Sequence, residues 1–257
     1  MSAAAHTSVP LRLSGAHNVR DLGGFSFTDP DGTTGTTAKG VFLRSGSLTR
    51  LTKRDRATLR TYGLVRVIDV RSTFELKIFS DPYDRRPEPG VDYRHVPMLD
   101  QLNSNGFQGL LPESMFAVYR DLLDEGQEGF RLLIDALDVE AGCVLFHCRV
   151  GKDRTGVIAM LLLDLAGVAP RDIIADYAAS ERYMGGFLRM QRVGASLLAR
   201  RIVPKCLFEA NPSEMERTLA YLHERYGSAR QYLVDTCGCS AAVVERICRR
   251  LQGRAAG

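Results

Sequence analysis

The sequence predicts an α/β fold: a central, mostly parallel sheet flanked by helices, with a helical insertion after the helix that follows residues 147–156. Three observations carry this expectation. Apolar runs of strand length, VFLR, LVRVIDV, DYRHVPML and CVLF, recur through the first 147 residues, separated by segments with helical signals. From Pro170 onward the chain reads almost wholly as helix. Between CVLF (Cys143 to Phe146) and the long apolar stretch GVIAMLLLDLAGV lies HCRVGKDRTG, a pattern of buried strand, tight loop and helix.

In chain order, NVRDLGG reads as a strand end and turn, and the turn-rich segment Thr28 to Gly40 as a hairpin loop. VFLR (Val41 to Arg44) is a strand. A helix follows over Thr52 to Tyr62, with Thr52 as N-cap, Asp55 three residues on and Gly63 as its stop. Leu64 to Val70 is a central strand, and Asp92 to Leu99 another. Gln101 to Pro112 is a polar loop, succeeded by helices around Glu113 to Asp124 and Gln127 to Asp138. The helix after HCRVGKDRTG spans about Arg154 to Gly167. Pro170 opens another, and Asn211 with Pro212 has the residue types of an N-cap and first helical position.

A chain of 257 residues can bury a full core. The expected organisation is a flexible N-terminal tail over residues 1–13 and one domain over 14–257. Within that domain, residues 176–209 are either a helical lid or an amphipathic helix packed on the core. Apolar and charged fractions of 45% and 25% are those of an ordinary globular protein. The longest apolar stretch, Val157 to Val168, is interrupted by Asp164 and too short to span a bilayer, and no standard secretory signal is visible. Six scattered cysteines, one of them needed as a thiolate, favour a reducing compartment; the cytoplasm is expected, with export lacking a visible signal left open. The net charge of +4 suits anionic substrates, and no basic block interleaved with aromatics points to nucleic acid. Cys237 and Cys239 have no further ligands at metal-site spacing, so a turn around Gly238 explains them better than zinc, and no metal or cofactor is expected.

HCRVGKDRTG carries the chemistry. Backbone amides in such a loop, together with a helix N-terminus, form an anion site suited to phosphate. A cysteine at its mouth is favoured as a thiolate nucleophile, and an arginine fork matches two phosphoryl oxygens. Cys148 and Arg154 are those two residues. Arg149, Val150, Gly151, Lys152 and Thr155 are expected to line the phosphate, with Thr155 donating to the thiolate as it departs. A nucleotide-binding P-loop also contains Gly-Lys. It is excluded here because no glycine stands five residues before Gly151 and Asp153 occupies the place of its Ser/Thr. A sulfur-transfer loop would explain the cysteine but not the GKDRTG ending.

HCRVGKDRTG resembles the signature loop of the cysteine-dependent tyrosine and dual-specificity phosphatases, above all the atypical bacterial and fungal tyrosine phosphatases with HC-x-x-GKDRTG. SGAHNVRDLGG, KGVFLRSGSL, VIDVRSTFE and MERTLAYLHERYGSARQYL are similar to the same family, in its order, so the resemblance spans nearly the whole chain. It implies a cysteine phosphatase-like fold, attack by Cys148, a phosphocysteine intermediate and hydrolysis by water. The implied partners are phosphotyrosine proteins or peptides.

The family's usual proton donor is an aspartate on a Trp-Pro-Asp loop, and this chain has no tryptophan. Asp153 inside the loop, Asp69 at the end of a strand and Asp100 in PMLD remain as candidates, and the resemblance favours Asp153. Lys152 is similar to a lysine in the loops of phosphoinositide phosphatases, which adds phosphoinositides as candidate substrates; balancing Asp153 is its simpler role. Arg20, Asp21, Arg44 and Arg71 are expected to buttress the loop. A lipid phosphatase, or a phosphate-binding module without turnover, are the alternatives.

Overall fold

The computed structural model describes residues 6–98, 114–199 and 209–254, with the stretch 185–199 described by its backbone alone. Six strands form one sheet: β1 (Val9–Pro10), β2 (Arg20–Asp21), β5 (Phe42–Ser45), β8 (Cys143–His147), β6 (Leu64–Asp69) and β7 (Asp92–His95), in that spatial order. β5, β8, β6 and β7 run parallel, and β2 and β1 continue the sheet antiparallel. The expected mostly parallel sheet is therefore present. Strands β3 (Ser26–Thr28) and β4 (Thr34–Thr36) form the separate hairpin read from the turn-rich segment.

β8 is central and buried on both faces, and its side chains alternate with period two. Val144 and Phe146 join the larger core, with Phe42, Ile68 and Val70. Cys143 and Leu145 join the smaller one, with Leu43, Val67, Leu59 and Tyr83. Leu59 comes from α1 (Lys53–Thr61), which starts at the expected Thr52–Asp55 capping box. The larger core is filled by α6 (Asp153–Leu165), where nearly every side chain is buried.

Around α6 pack α4 (Met115–Glu125), α5 (Gln127–Leu137), α7 (Pro170–Ala199), α8 (Pro212–Tyr226) and, after the single turn α9 (Ala229–Gln231), α10 (Ala241–Leu251). Asn211 caps α8 and Pro212 opens it. Gly238 adopts φ +70° in the turn before α10, as the Cys237–Cys239 spacing suggested.

Three expectations need amendment. Residues 6–13 are not a free tail. Val9–Pro10 pairs with β2, the His6 amide donates to Asp172 Oδ1 (2.8 Å), and the Ser8 amide donates to Asp176 Oδ1 (3.3 Å). The cause is that two buried carboxylates need donors. The segment beginning at 176 is no separate insertion at that point, because α7 already starts at Pro170 and buries Ile173, Asp176, Tyr177, Ser180 and Met184. Finally, two short helices, α2 (Thr73–Ile78) and α3 (Pro82–Arg85), lie between β6 and β7, in a stretch to which the sequence reading assigned no element.

Candidate active site

β8 ends at His147, and the chain turns through Cys148 to Lys152 into the N-terminus of α6. Cys148 is 2% exposed, and its Sγ accepts the Gly151 amide at 3.2 Å. Gly151 has φ +75°, and a Cβ there would lie 2.5 Å from the Gly46 nitrogen and 2.6 Å from the Ser45 oxygen, so only glycine fits. Gly46 is similarly close to the loop, since its own Cβ would come within 3.0 Å of the Val150 oxygen.

The Gly151 carbonyl accepts from Asn18 Nδ2 (2.8 Å) and Arg44 Nη2 (2.8 Å). The C=O and N–H of one trans peptide point in opposite directions, so these bonds turn the Lys152 amide the other way. α6 has no side-chain cap on its first turn, which leaves its N-terminal dipole uncovered by a capping group.

Arg44 and Arg20 both reach Asp176, at 2.5 and 2.6 Å, and all three side chains are buried. Ser180 Oγ accepts from Arg20 Nη2 at 3.0 Å. Burial opposes ionisation of Asp176, but the two guanidiniums outweigh it and hold its pKa below the usual range. Arg20 and Arg44 thus contact the network behind the loop. Asp21 instead accepts the amides of Gly23 and Gly40, both at 2.7 Å, and the Tyr62 hydroxyl.

Arg154 meets Glu75 as a fork: Nη1 donates to Oε2 at 2.6 Å and Nη2 to Oε1 at 2.9 Å, while Nη1 also reaches the Val70 carbonyl at 3.4 Å. Burial works against this guanidinium, but the Glu75 hydrogen bonds and the charges of Cys148 and Glu75 raise its pKa further. A guanidinium has five N–H donors. Glu75 and Val70 occupy the Nη1 pair and one of Nη2, which leaves Nε–H and the second Nη2–H side by side on one edge.

Asp153 is the first residue of α6. Its Oδ1 accepts the Tyr119 hydroxyl at 2.5 Å and lies 3.2 Å from Lys152 Nζ. Lys152 itself is 1% exposed and donates to the Glu209 carbonyl at 3.1 Å. Arg149 lies over the Phe79 ring at 4.3 Å, and the two form part of a cavity of about 330 Å³ with Gly46, Ser47, Arg71 and Glu75. Thr155 Oγ1 is buried with no hydrogen-bond partner among the described residues.

Asp69 is fully buried and grips Arg71, with Nε at 2.9 Å and Nη2 at 2.5 Å. Burial favours its protonation, yet His147 and Arg71 pull its pKa down to about 2. Asp69, Asp81 and His147 hold ligand atoms within 4.8 Å of one another. Arg71 Nη2, 3.7 Å from Asp81 Oδ2, already supplies the cation between the two carboxylates, so the group reads as an ion-pair cluster. Asp100 lies outside the described residues.

Sequence reasoning missed Glu75, Asn18, Asp176 and Tyr119. Glu75 had a local signal, the Ser72-x-x-Glu75 capping box that opens α2. The other three are brought to the loop only by tertiary packing.

The model of the tyrosine phosphatase family matches residues 11–253. A tyrosine-protein phosphatase of Nostoc commune is 31% identical over 220 residues, covering 82% of this chain and 74% of its own. The triple specificity protein phosphatase PtpB of Mycobacterium tuberculosis is 26% identical over 253 residues, covering 86% of this chain and 90% of its own.

Proposed function

Because the chain belongs to the tyrosine phosphatase family, we propose that the loop from Cys148 to Thr155 is the catalytic centre of a protein tyrosine phosphatase of relaxed specificity. The enzyme hydrolyses phosphate monoesters through a phosphocysteine intermediate. Cys148 Sγ attacks phosphorus in line with the departing phenolate, and the S–P bond forms as the P–O bond breaks. The observation that carries this reading is the fork between Arg154 and Glu75. It presents a parallel pair of N–H donors, and two phosphoryl oxygens are the acceptors such a pair matches. The amides of the loop and of the first turn of α6 serve the remaining oxygen.

Asp153 gives its proton to the leaving oxygen, then takes one from the water that cleaves the S–P bond. Asp69 is a poorer acid, since His147 and Arg71 hold it as a carboxylate with a pKa of about 2 against its burial. Thr155 stabilises the thiolate released in the second step.

Phosphotyrosine in proteins or peptides is the preferred substrate class. The phosphoinositide reading depends on Lys152, whose ammonium is buried against Asp153 and the Glu209 carbonyl, so it is already engaged within the protein. No helix among the described residues is long and apolar enough to cross a membrane. The described cysteines are all free, and we place the enzyme in the reducing cytoplasm.

The test is hydrolysis of p-nitrophenyl phosphate in excess chelator by the wild type and Cys148→Ser, followed by a panel of phosphotyrosine peptides, phosphoserine/threonine peptides and phosphoinositides. Turnover that needs Cys148 and is fastest on phosphotyrosine is expected. A folded wild type without activity on any aryl phosphate would refute the enzyme, and faster turnover of lipids would overturn the substrate class.

A further inference from the structure

The proposed acid sits in an asymmetric setting. Among the described residues, both polar side-chain contacts of the Asp153 carboxyl fall on Oδ1: the Tyr119 hydroxyl at 2.5 Å and Lys152 Nζ at 3.2 Å. Tyr119 is fully buried on α4, and its hydroxyl also lies 2.7 Å from that of Tyr177 on α7, itself 1% exposed. The rings meet edge to face, with centroids 6.0 Å apart and planes at 80°.

A phenol has one proton to donate. If Tyr119 gives its proton to Asp153, it can only accept from Tyr177, so the chain of donors runs from Tyr177 to Tyr119 to Asp153. Tyr177 is held against the first turns of α6, where a Cβ on Gly156 would come 3.0 Å from its ring. The two phenols are therefore fixed by three helices and cannot swing with the carboxyl.

We propose that Tyr119, oriented by Tyr177, is a positioning residue that reserves Asp153 Oδ1 as a hydrogen-bond acceptor and makes Oδ2 the oxygen that carries the catalytic proton. This inference rests on the reading of Asp153 as the general acid. The chemistry is self-consistent. A neutral carboxyl has one carbonyl oxygen that accepts and one hydroxyl oxygen that donates. Donors placed on Oδ1 alone are kept whether Asp153 is protonated or ionised. The side chain can therefore cycle between acid in the first step and base in the second without breaking the contact with Tyr119. In the first step the Oδ2–H bond breaks as the proton passes to the phenolate oxygen. In the second, Oδ2 takes a proton from water as the water oxygen bonds to phosphorus and the S–P bond breaks, which frees phosphate and returns the Cys148 thiolate.

The experiment compares wild type, Tyr119→Phe, Tyr177→Phe and Asp153→Asn on aryl phosphates of graded leaving-group pKa, with inorganic vanadate affinity and Tm measured on each protein. Proton donation by a positioned acid accelerates such reactions by about 10²–10⁴-fold and matters most for basic leaving groups. Tyr119→Phe should lower kcat for phenyl phosphate about tenfold or more while changing p-nitrophenyl phosphate less than about threefold. Vanadate affinity should stay within about twofold. Tyr177→Phe should show a smaller effect of the same kind, and it carries the test if Tyr119→Phe does not fold.

If Asp153→Asn steepens the leaving-group dependence but neither tyrosine variant does, the positioning role is refuted and the acid assignment stands. If Asp153→Asn leaves that dependence unchanged, the acid assignment itself fails. A uniform loss on all substrates with weakened vanadate binding would mean that Tyr119 supports only the loop's shape.

Discussion

Glu75 illustrates how one side chain joins local folding to chemistry. Its Oε2 accepts the Ser72 amide at 2.9 Å, closing the capping box of α2, and the same oxygen accepts Arg154 Nη1 at 2.6 Å. Glu75→Gln keeps the shape but removes the charge and one acceptor, so the fork loses its symmetry. The expected result is a fall in kcat/KM of about tenfold or more, equivalent to ~1.4 kcal/mol of transition-state binding. Steady-state kinetics with vanadate titration would measure it, and unchanged values for both would remove Glu75 from the site. Thr155 acts at a different moment. Its hydroxyl is buried with no partner among the described residues, so Thr155→Ala should spare phosphorylation of Cys148 and slow hydrolysis of the intermediate. Rapid mixing would then reveal a burst of p-nitrophenol larger than that of the wild type; a slowed burst would assign Thr155 to the first step.

At the scale of elements, the strand-loop-helix unit of β8 and α6 was legible because its signals are local: a run of apolar residues, glycine at a left-handed turn, then a second apolar run. α1 and α8 were legible for the same reason, each announced by a cap. α2 and α3 are short, and their caps, Ser72 with Glu75 and Asp81 with Pro82, were readable signals overshadowed by the stronger strand before them. The support of the loop was legible only in part: Arg20 and Arg44 were expected to buttress it, but their partners Asn18 and Asp176 come from distant parts of the chain and carried no local signal. α7 makes that support with Asp176, a single carboxylate between two buried guanidiniums. Asp176→Asn would leave both underpaired, a loss of about 3–5 kcal/mol by analogy with broken buried ion pairs. In a chain of this size that corresponds to a Tm lowered by roughly 2–4 °C per kcal/mol. Calorimetry showing a shift under about 2 °C would mean that the two arginines find other acceptors.

For the whole molecule, the buried charges behind the loop set how stability depends on pH. His147 Nε2 lies 3.3 Å from Asp81 Oδ2 and 3.8 Å from Asp69 Oδ2, with no exposure of any of the three side chains. With Arg71, two carboxylates face one guanidinium and one imidazole, so the cluster is neutral only when His147 is protonated. Burial alone would lower the His147 pKa, but Asp69 and Asp81 raise it above its ordinary value. A folded pKa above the unfolded one means that the folded state binds the proton more tightly. The resulting stabilisation is complete below the unfolded value of about 6.5 and is lost as pH rises through the folded value. Asp69 has the opposite sign: with its pKa lowered to about 2, its contribution is present above the ordinary value of 3.8 and is lost as pH falls towards 2. Stability should therefore peak in mildly acidic solution and decline on the alkaline side through His147. His147→Gln cannot be protonated, so its Tm should be lower than wild type near pH 6 and should lack that alkaline decline. The gap between the two proteins would then narrow as pH rises. Parallel Tm curves from about pH 6 to 9 would show that His147 stays neutral in the fold and that Arg71 alone balances the two aspartates.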